Sequence, residues 1–515
     1  MNGVALSLFA SRVAAVCEEA GALLGKVAFS PNIRDRLDYS CALFDARGRL
    51  LGQATHIPVH LGSMAFAMAD LVQGVDWAPG DMVVLNDPYR GGTHLPDVTF
   101  ISPVFLDERL VGFAANRAHH ADIGAEAPGS MPLSRSLEEE GIILAPIKII
   151  ADGRWVPSVL DPVMQRLHDP DLSMGDFSAQ AAANRLMERR LLELVEGSHY
   201  RAFVSHCEDL QDYACQLATA SLAELPEGQY RFTDYLDDDG QGHLDLPVTV
   251  TVSLAGGKAL VDFTGTSDAV PGNLNCPLPV TAAAVFYVFR CLMPSDVPAC
   301  DGAMRNIDIQ APPGCLVNAL APSAVAAGNV ETSTRIVDAV CGALALADPE
   351  RIPAAAQGTM NNLAMGARGE GGWDYYETLA GGHGACSHAH GCDARHSHMT
   401  NTLNTPVEVV ERHYPLRIEH YAIRSASGGA GRNNGGDGVS RAYRFLADAQ
   451  VTVLSERRRR APWGLAGGQD GKPGENRLDG EVLPAKVARS VNAGQLLEID
   501  TPGGGGFGKP DSTRR

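Results

Sequence analysis

At 515 residues, with 45% apolar and 20% charged side chains, the chain has the composition of a soluble globular protein of roughly two to four domains. A formal net charge of −19 speaks against nucleic acid or an anionic membrane as a partner. Eleven cysteines, odd in number and without a C-x-x-C pair, fit a reduced, cytoplasmic protein rather than a disulfide-stapled secreted one.

Residues 4–28 are predicted to form one helix. This N-terminus is apolar enough to suggest a signal peptide, but it lacks a basic leader. Glu18 and Glu19 follow at helical spacing, so an amphipathic helix is expected. No window approaches the length of a membrane span. "YSCALFD" and "RLLGQA" around "ARG" read as a hairpin, and "HLGSMAFAMADLVQGV" returns to a helical period. "GDMVVLNDPY" and "VTFISPVFLDERLVGFAANRAHH" are strand-like. Residues 175–224 read as two helices, 228–264 as alternating strands, and 278–294 and 332–347 as helices again. The last third is rich in Gly, His and Asn and ends in strand-like segments such as "AQVTVLSERR". The expected fold class is mixed α/β (α+β), a large multi-layer chain with a β-rich central part and helical insertions. Three regions are expected: an N-terminal α/β region, 1–225, carrying a candidate metal site; a central β-rich and helical region, 226–350; and a Gly/His-rich C-terminal region with β segments, 351–515.

"NRAHHADIG", residues 116–124, places two imidazoles and a carboxylate at the end of a predicted strand. The first third of the chain adds Asp38, Asp87, His94 and Asp97 to His119, His120 and Asp122. A divalent metal wants two or three imidazoles and one or two carboxylates from separate segments, with a position left open. Gly91 and Gly92 let the backbone approach closely and aim His94 inward. His119 and Asp122, three apart, fall on one side of a turn. The same residues serve equally as ordinary hydrogen-bonding groups in polar loops, since no H-E-x-x-H signature is present.

A second cluster, "GGHGACSHAHGCDARHSHMTNT" at 381–402, alternates Cys386, His388, His390 and Cys392. An extended strand would spread these too far for one tetrahedral ion, so a polar loop edging the active site is the expectation. "GGGGFG" at 503–508 fits G-x-G-x-x-G, yet lies near the end of the sequence without a following helix, and "GLAGGQDGKPG" lacks the spacing of a phosphate loop. No G-x-S-x-G elbow or cysteine nucleophile signature appears. The basic run "SERRRRAPWG" at 455–464 is expected to be a solvated or paired strand end.

The blocks "SPNIRDRLDYSCALFDARGRLLGQATHIPVHLGSM", "NDPYRGGTHLPDVTFISPVF", "NRAHHADIGAEAPGSMP", "YYETLAGGHGA", "MTNTLNTPVEVVE", "SGGAGRNNGGDG" and "TPGGGGFG" resemble the hydantoinase B family. That family includes B subunits of ATP-dependent N-methylhydantoinases, the C-terminal half of 5-oxoprolinases, and subunits of acetone and acetophenone carboxylases. The resemblance runs from about residue 20 to the end of the sequence. It implies a partner A subunit of actin-like ATPase fold, using ATP and Mg, that phosphorylates the substrate's carbonyl or enol oxygen. The B subunit then hydrolyses the ring amide of a small cyclic amide beside a divalent metal (Zn, Mn or Fe), within a hetero-oligomer. Block by block, the implied ligands are Asp38, His94, His119 and Asp122. His120 and Asp87 are the implied proton-transfer groups, and His119 and His120 are interchangeable at this level. Backbone amides of "GGTH" and "SGGAGRNNGGDG" are candidates for phosphate oxygens, against a turn-forming role. The alternatives are a subunit of an acetone- or acetophenone-type carboxylase and a non-catalytic assembly subunit. "GCDARHSH", "VPACDGAMR" and the acidic "RSLEEEGIILAPIKI" depart from the family's usual pattern.

Overall fold

Helix Gly3–Val27 buries Leu6, Phe9, Val13, Cys17, Ala20 and Leu24, an i, i+3/i+4 ladder that lays one face on the neighbouring sheet. The computed structural model describes residues 3–54, 56–60, 62–369 and 371–510, so the outermost residues of the first and third expected regions (1–2 and 511–515) lie outside it. The sheet beneath that helix has seven strands, all paired antiparallel. Their order is Leu50–Gln53, Tyr39–Asp45, Arg109–His119, Asp97–Leu106, Met82–Leu85, Ile147–Ala151, Arg154–Trp155. Tyr39–Asp45 is buried along its whole length because both faces are covered. Cys41 and Leu43 meet the long helices, while Ala42 and Phe44 meet Met64, Ala67 and Met68 of helix Ser63–Gly74. The period of two assigns alternate side chains to two cores.

Two helices are present where two were expected, Pro170–Ser198 and Tyr200–Ala223, broken at His199 by its positive φ of 61°. Strands Gly228–Asp238, Leu244–Ala255, Lys258–Asp262 and Ile307–Gln310 form a second sheet. Helix Leu278–Leu292 lies between the last two of these strands, and helix Ser333–Ala347 follows, entered through one π-helical turn, Gly328–Thr332. The last third carries two further sheets, one of four strands and one of five. The result is the mixed α/β architecture expected from the sequence. One apolar core draws on Leu6, Leu236, Ile336 and Leu454, hence on all three regions of the chain.

The glycine-rich segments converge in a bundle of extended backbones. Gly504 donates to the carbonyl of Gly436, Gly436 to that of His383, and Gly429 to that of Gly504, at 2.8–2.9 Å. A Cβ at Gly382, Gly391, Gly435 or Gly504 would fall inside the van der Waals radius of a neighbouring carbonyl oxygen. Glycine is required there by close approach. The basic run is paired as expected: Arg457 binds Asp234 at 2.7 Å and Asp338 at 2.6 Å, and Arg460 binds Asp245. Among the described residues no helix is long and apolar enough to cross a membrane.

Candidate metal centre

Three turns of sequence logic bring His94, Asp97 and His119 together. Gly91, at φ 94°, lies where a Cβ would collide with the backbone of Ala67, so the loop before His94 closes tightly. The amide of Asp97 donates to the carbonyl of His94 at 3.1 Å, which puts both side chains on one side of a short turn. Asp97 opens its strand and faces His119 directly across the ladder. The three side chains offer one ligand atom each, all within 4.8 Å of one another, and this is the only such convergent group among the described residues.

The site is buried and polar. His94 Nε2 lies 3.3 Å and His119 Nδ1 3.4 Å from Asp97 Oδ1, and His60 Nε2 lies 3.4 Å from Asp97 Oδ2. Thr93 and Asn329 also donate to Asp97 Oδ2. Outside these contacts His94 Nδ1 faces the Ala326 carbonyl at 3.3 Å, and His60 Nδ1 the Ser40 hydroxyl at 2.8 Å. His119 stacks on Tyr376, ring centroids 4.6 Å apart and 13° from parallel. The Tyr376 hydroxyl donates to Asn362, which donates to Glu331 on the π-helical turn. Partners of this kind fix the orientation of ligating imidazoles.

Burial pushes the Asp97 carboxyl up, and His94 and His60 outweigh it, leaving its pKa well below the usual carboxylate range. Burial likewise opposes protonation of His94, but the adjacent carboxylate wins and its pKa is raised. For His119 burial wins, and its pKa is lowered. The residues fit a divalent cation: two imidazoles and an ionised carboxylate suit Zn, Mn or Fe. His119 Nε2 is buried without a hydrogen-bond partner, and His94 Nε2 has only its 3.3 Å approach to Asp97, an expense in a core unless a ligand satisfies them. The cavity bordered by Asp97 and His119, with His94 behind them, holds about 20 Å³, room for one ion or water.

The other residues singled out from the sequence are placed as follows. Asp38 lines the same cavity, with its carboxylate 3.9 Å from Arg36 and its carbonyl accepting from the His119 amide. His120 points the opposite way from His119 and bonds Gln180 at 2.9 Å. Asp122 is used up by the amides of Gly124, His168 and Asp169 and by His168 Nδ1, outside the cluster. Asp87 caps the turn Pro88–Arg90 and does not line the cavity. Asp97 belonged to the sequence pool without an assigned role, and its signal was the H-x-x-D spacing after a glycine turn. His60 and Asn329 had no sequence signal beyond being polar.

The glycine amides bond within the protein, as the turn-forming alternative has it. Gly428 donates to Asp437, Gly435 to Gly429, Gly92 to Asp87, and Gly503, Gly504, Gly505 and Gly506 to carbonyls of neighbouring segments. They hold the chain together. The Cys/His stretch is turned rather than extended, with Cys386 bridged to Ala389, so its four side chains do not form one face. Its continuation does edge the site, through Met399, Thr400 and Thr402.

The hydantoinase B/oxoprolinase family model matches residues 2–510. The 5-oxoprolinase of Dictyostelium discoideum is 37% identical over 529 residues, which cover 99% of this chain but 41% of that longer protein. A Pseudomonas protein named as the B component of a D-/L-hydantoinase is 33% identical over 523 residues, 96% of this chain and 88% of that protein. The crystal structure of ATP-dependent caprolactamase from Pseudomonas jessenii matches at a TM-score of 0.92 with 27% identity, over 99% of this chain and 91% of that one.

Proposed function

The chain belongs to the hydantoinase B/oxoprolinase family, and from that premise we propose that it is the ring-opening subunit of an ATP-dependent cyclic-amide hydrolase. A partner ATPase subunit of the A type phosphorylates the amide oxygen, and at His94, Asp97 and His119 this chain directs water to the activated carbon, so that the C–N bond breaks and the ring-opened carboxylate and inorganic phosphate leave. The observation that carries the reading is the convergence of these three buried groups, two of which, Asp97 and His119, line a cavity of ion size. The relatives support it by name: hydantoinase, oxoprolinase and caprolactamase all refer to ring amides. The commitment of the 503–506 amides to the bundle supports placing the nucleotide on the partner.

His94, Asp97 and His119 would hold the ion, with Asp38 at the rim of its cavity. A divalent ion there supplies Lewis-acid polarisation of a carbonyl and an acidified water. Asp97 contributes a full negative charge, because its pKa lies far below neutrality. His119, kept neutral by burial, offers a free nitrogen lone pair. His60, aimed by the Ser40 hydroxyl and facing Asp97, is the group placed to accept and return a proton. His120 and Asp87, on other faces, take supporting positions in this proposal.

A proton on His94 competes with the ion for the same nitrogen. The raised pKa of His94 therefore predicts metal affinity that strengthens as pH rises through and above its ordinary value of 6.5. The test pairs metal analysis of wild type and Asp97→Asn with ATP-dependent turnover of hydantoin, 5-oxoproline and caprolactam beside the A-type partner. Stoichiometric metal and turnover, both lost in the variant, are expected. A wild type that turns over without metal would sink the assignment.

A further inference from the structure

A cavity of about 20 Å³ cannot hold a substrate ring, so the body of the substrate must lie beside it. Two chambers of substrate size flank the site. One, of about 640 Å³, lies beyond His120 and Asp122, is edged by Arg34, Arg368 and Asp374, and shares no lining residue with the metal cavity. The other, of about 630 Å³, shares Ile57 with it. Both volumes fall in the ~300–1,000 Å³ range of pockets that bury small organic ligands. Contiguity selects the second.

Segment 56–60 contributes to both linings, His56, Ile57 and Pro58 to the chamber and Ile57, Val59 and His60 to the metal cavity. It is pinned by Asn401 Nδ2 on the His56 carbonyl at 3.2 Å and by the Val59 amide on the Met399 carbonyl at 3.3 Å. Ser40 lines the chamber on one side and binds His60 on the other. The chamber walls are apolar, with Ala54, Ala65, Phe66, Phe286 and Met304. Three arginines reach its edge, and each has partners. Arg49 binds Asp45 and Glu208, Arg290 donates to the Pro294 and Val297 carbonyls, and Arg305 pairs with Asp212. Asp301 adds a carboxyl to the same lining. An anionic substituent would find mostly apolar walls, an acid, two guanidiniums already paired with carboxylates and a third, Arg290, turned onto backbone carbonyls.

Resting on the function proposed above, we infer that this chamber seats the body of the substrate and selects an uncharged ring amide bearing an apolar substituent of about phenyl size, over a ring bearing a carboxylate. Ile57 marks the passage to the metal cavity, and Ala65 and Phe286 set the space available to the substituent. The substituent gains by leaving water for an apolar wall, whereas a carboxylate against that wall would lose hydration.

The test compares 5-benzylhydantoin, unsubstituted hydantoin and 5-oxoproline as substrates of the chain with its A-type partner, and measures binding of 5-benzylhydantoin to the chain alone by calorimetry. The expected kcat/KM for 5-benzylhydantoin is ~10-fold or more above that for the other two. Ala65→Trp, which fills the chamber, should erase that preference and the calorimetric binding. Ala69→Trp, at the exposed mouth, serves if the first variant does not fold. Turnover of 5-oxoproline above 5-benzylhydantoin, or a preference unmoved by the filling variants, would overturn the inference and leave the hydrolase reading intact. If no ring amide is turned over, that reading fails. The calorimetry then still decides: binding lost on filling supports the chamber, and no binding to wild type overturns it.

Discussion

Two stretches of this chain look like metal sites on paper. "NRAHHADIG" at 116–124 has two histidines and one aspartate, whereas "GGHGACSHAHGCDARHSH" at 381–398 has five histidines, two cysteines and one aspartate. The poorer stretch contributes to the convergent cluster, and the richer one does not. In the first, only His119 takes part, meeting residues from a glycine turn and from a neighbouring strand. In the second, the side chains serve their own surroundings. His390 accepts from the Asn434 amide and His383 faces the His396 carbonyl. Burial pushes His396 down to about 3 and His398 down to about 4, which keeps both neutral. Local density of ligand-type residues is a weak guide, because consecutive side chains diverge. A chelate is built by elements that meet.

The sharpest way to break this contrast is to remove one ligand of the convergent cluster and, separately, two ligand-type side chains of the richer stretch. Asp97→Asn should lower metal affinity by at least ~100-fold and abolish ATP-dependent turnover, since even partners of metal ligands commonly cost that much. His388→Ala with Cys392→Ser should leave metal content unchanged, as read by elemental analysis. Metal lost in the second pair but kept in the first would reverse the assignment.

Next in size is the bundle that the second stretch packs against. Gly504→Val forces a side chain into the His383 carbonyl. It should cost about 3 kcal/mol or more in urea unfolding, by overpacking against backbone that cannot yield. The folded fraction should still retain its metal, because the cluster lies elsewhere.

A subtler contrast concerns protons. Burial, with Glu456 nearby, pushes Glu331 up to about 8 from an ordinary 4.5. A raised carboxyl pKa gives a contribution that is fully present below 4.5 and is lost as pH rises to about 8. Glu331→Gln, whose amide oxygen can still accept from Asn362 and the Met360 amide, should flatten unfolding free energy across that window. It should exceed wild type in stability above it. The smallest effect expected is that of Tyr376→Phe, which keeps the ring on His119 and loses one hydroxyl bond, about 1 kcal/mol. An equally small change on Tyr376→Ala would argue that the stack does not position His119.

Much of the fold was legible from the sequence. The helical period of 4–28, the alternation of 228–264 and the pairing of the arginine run all have direct structural counterparts. So was the neighbourhood of the site, since Asp38, His94, Asp97 and His119 all stood in the pool of acids and imidazoles. Which of them converge was decided by tertiary structure. Counting back from the two-residue turn at Asp107 and Glu108, a regular hairpin would set residue 96 opposite His119. The ladder instead slips by one between Val104 and Phe105, and Asp97 takes that place. A one-residue slip exchanges the two faces of a strand, and no side chain in the sequence announces it. The same holds for His60 and Asn329, delivered by a 3₁₀ turn and a π-helical turn far apart in the chain. Composition and period fix which residues can be buried, because those are local properties of the chain. Which buried groups touch depends on register and packing, which are settled only when distant segments close on one another.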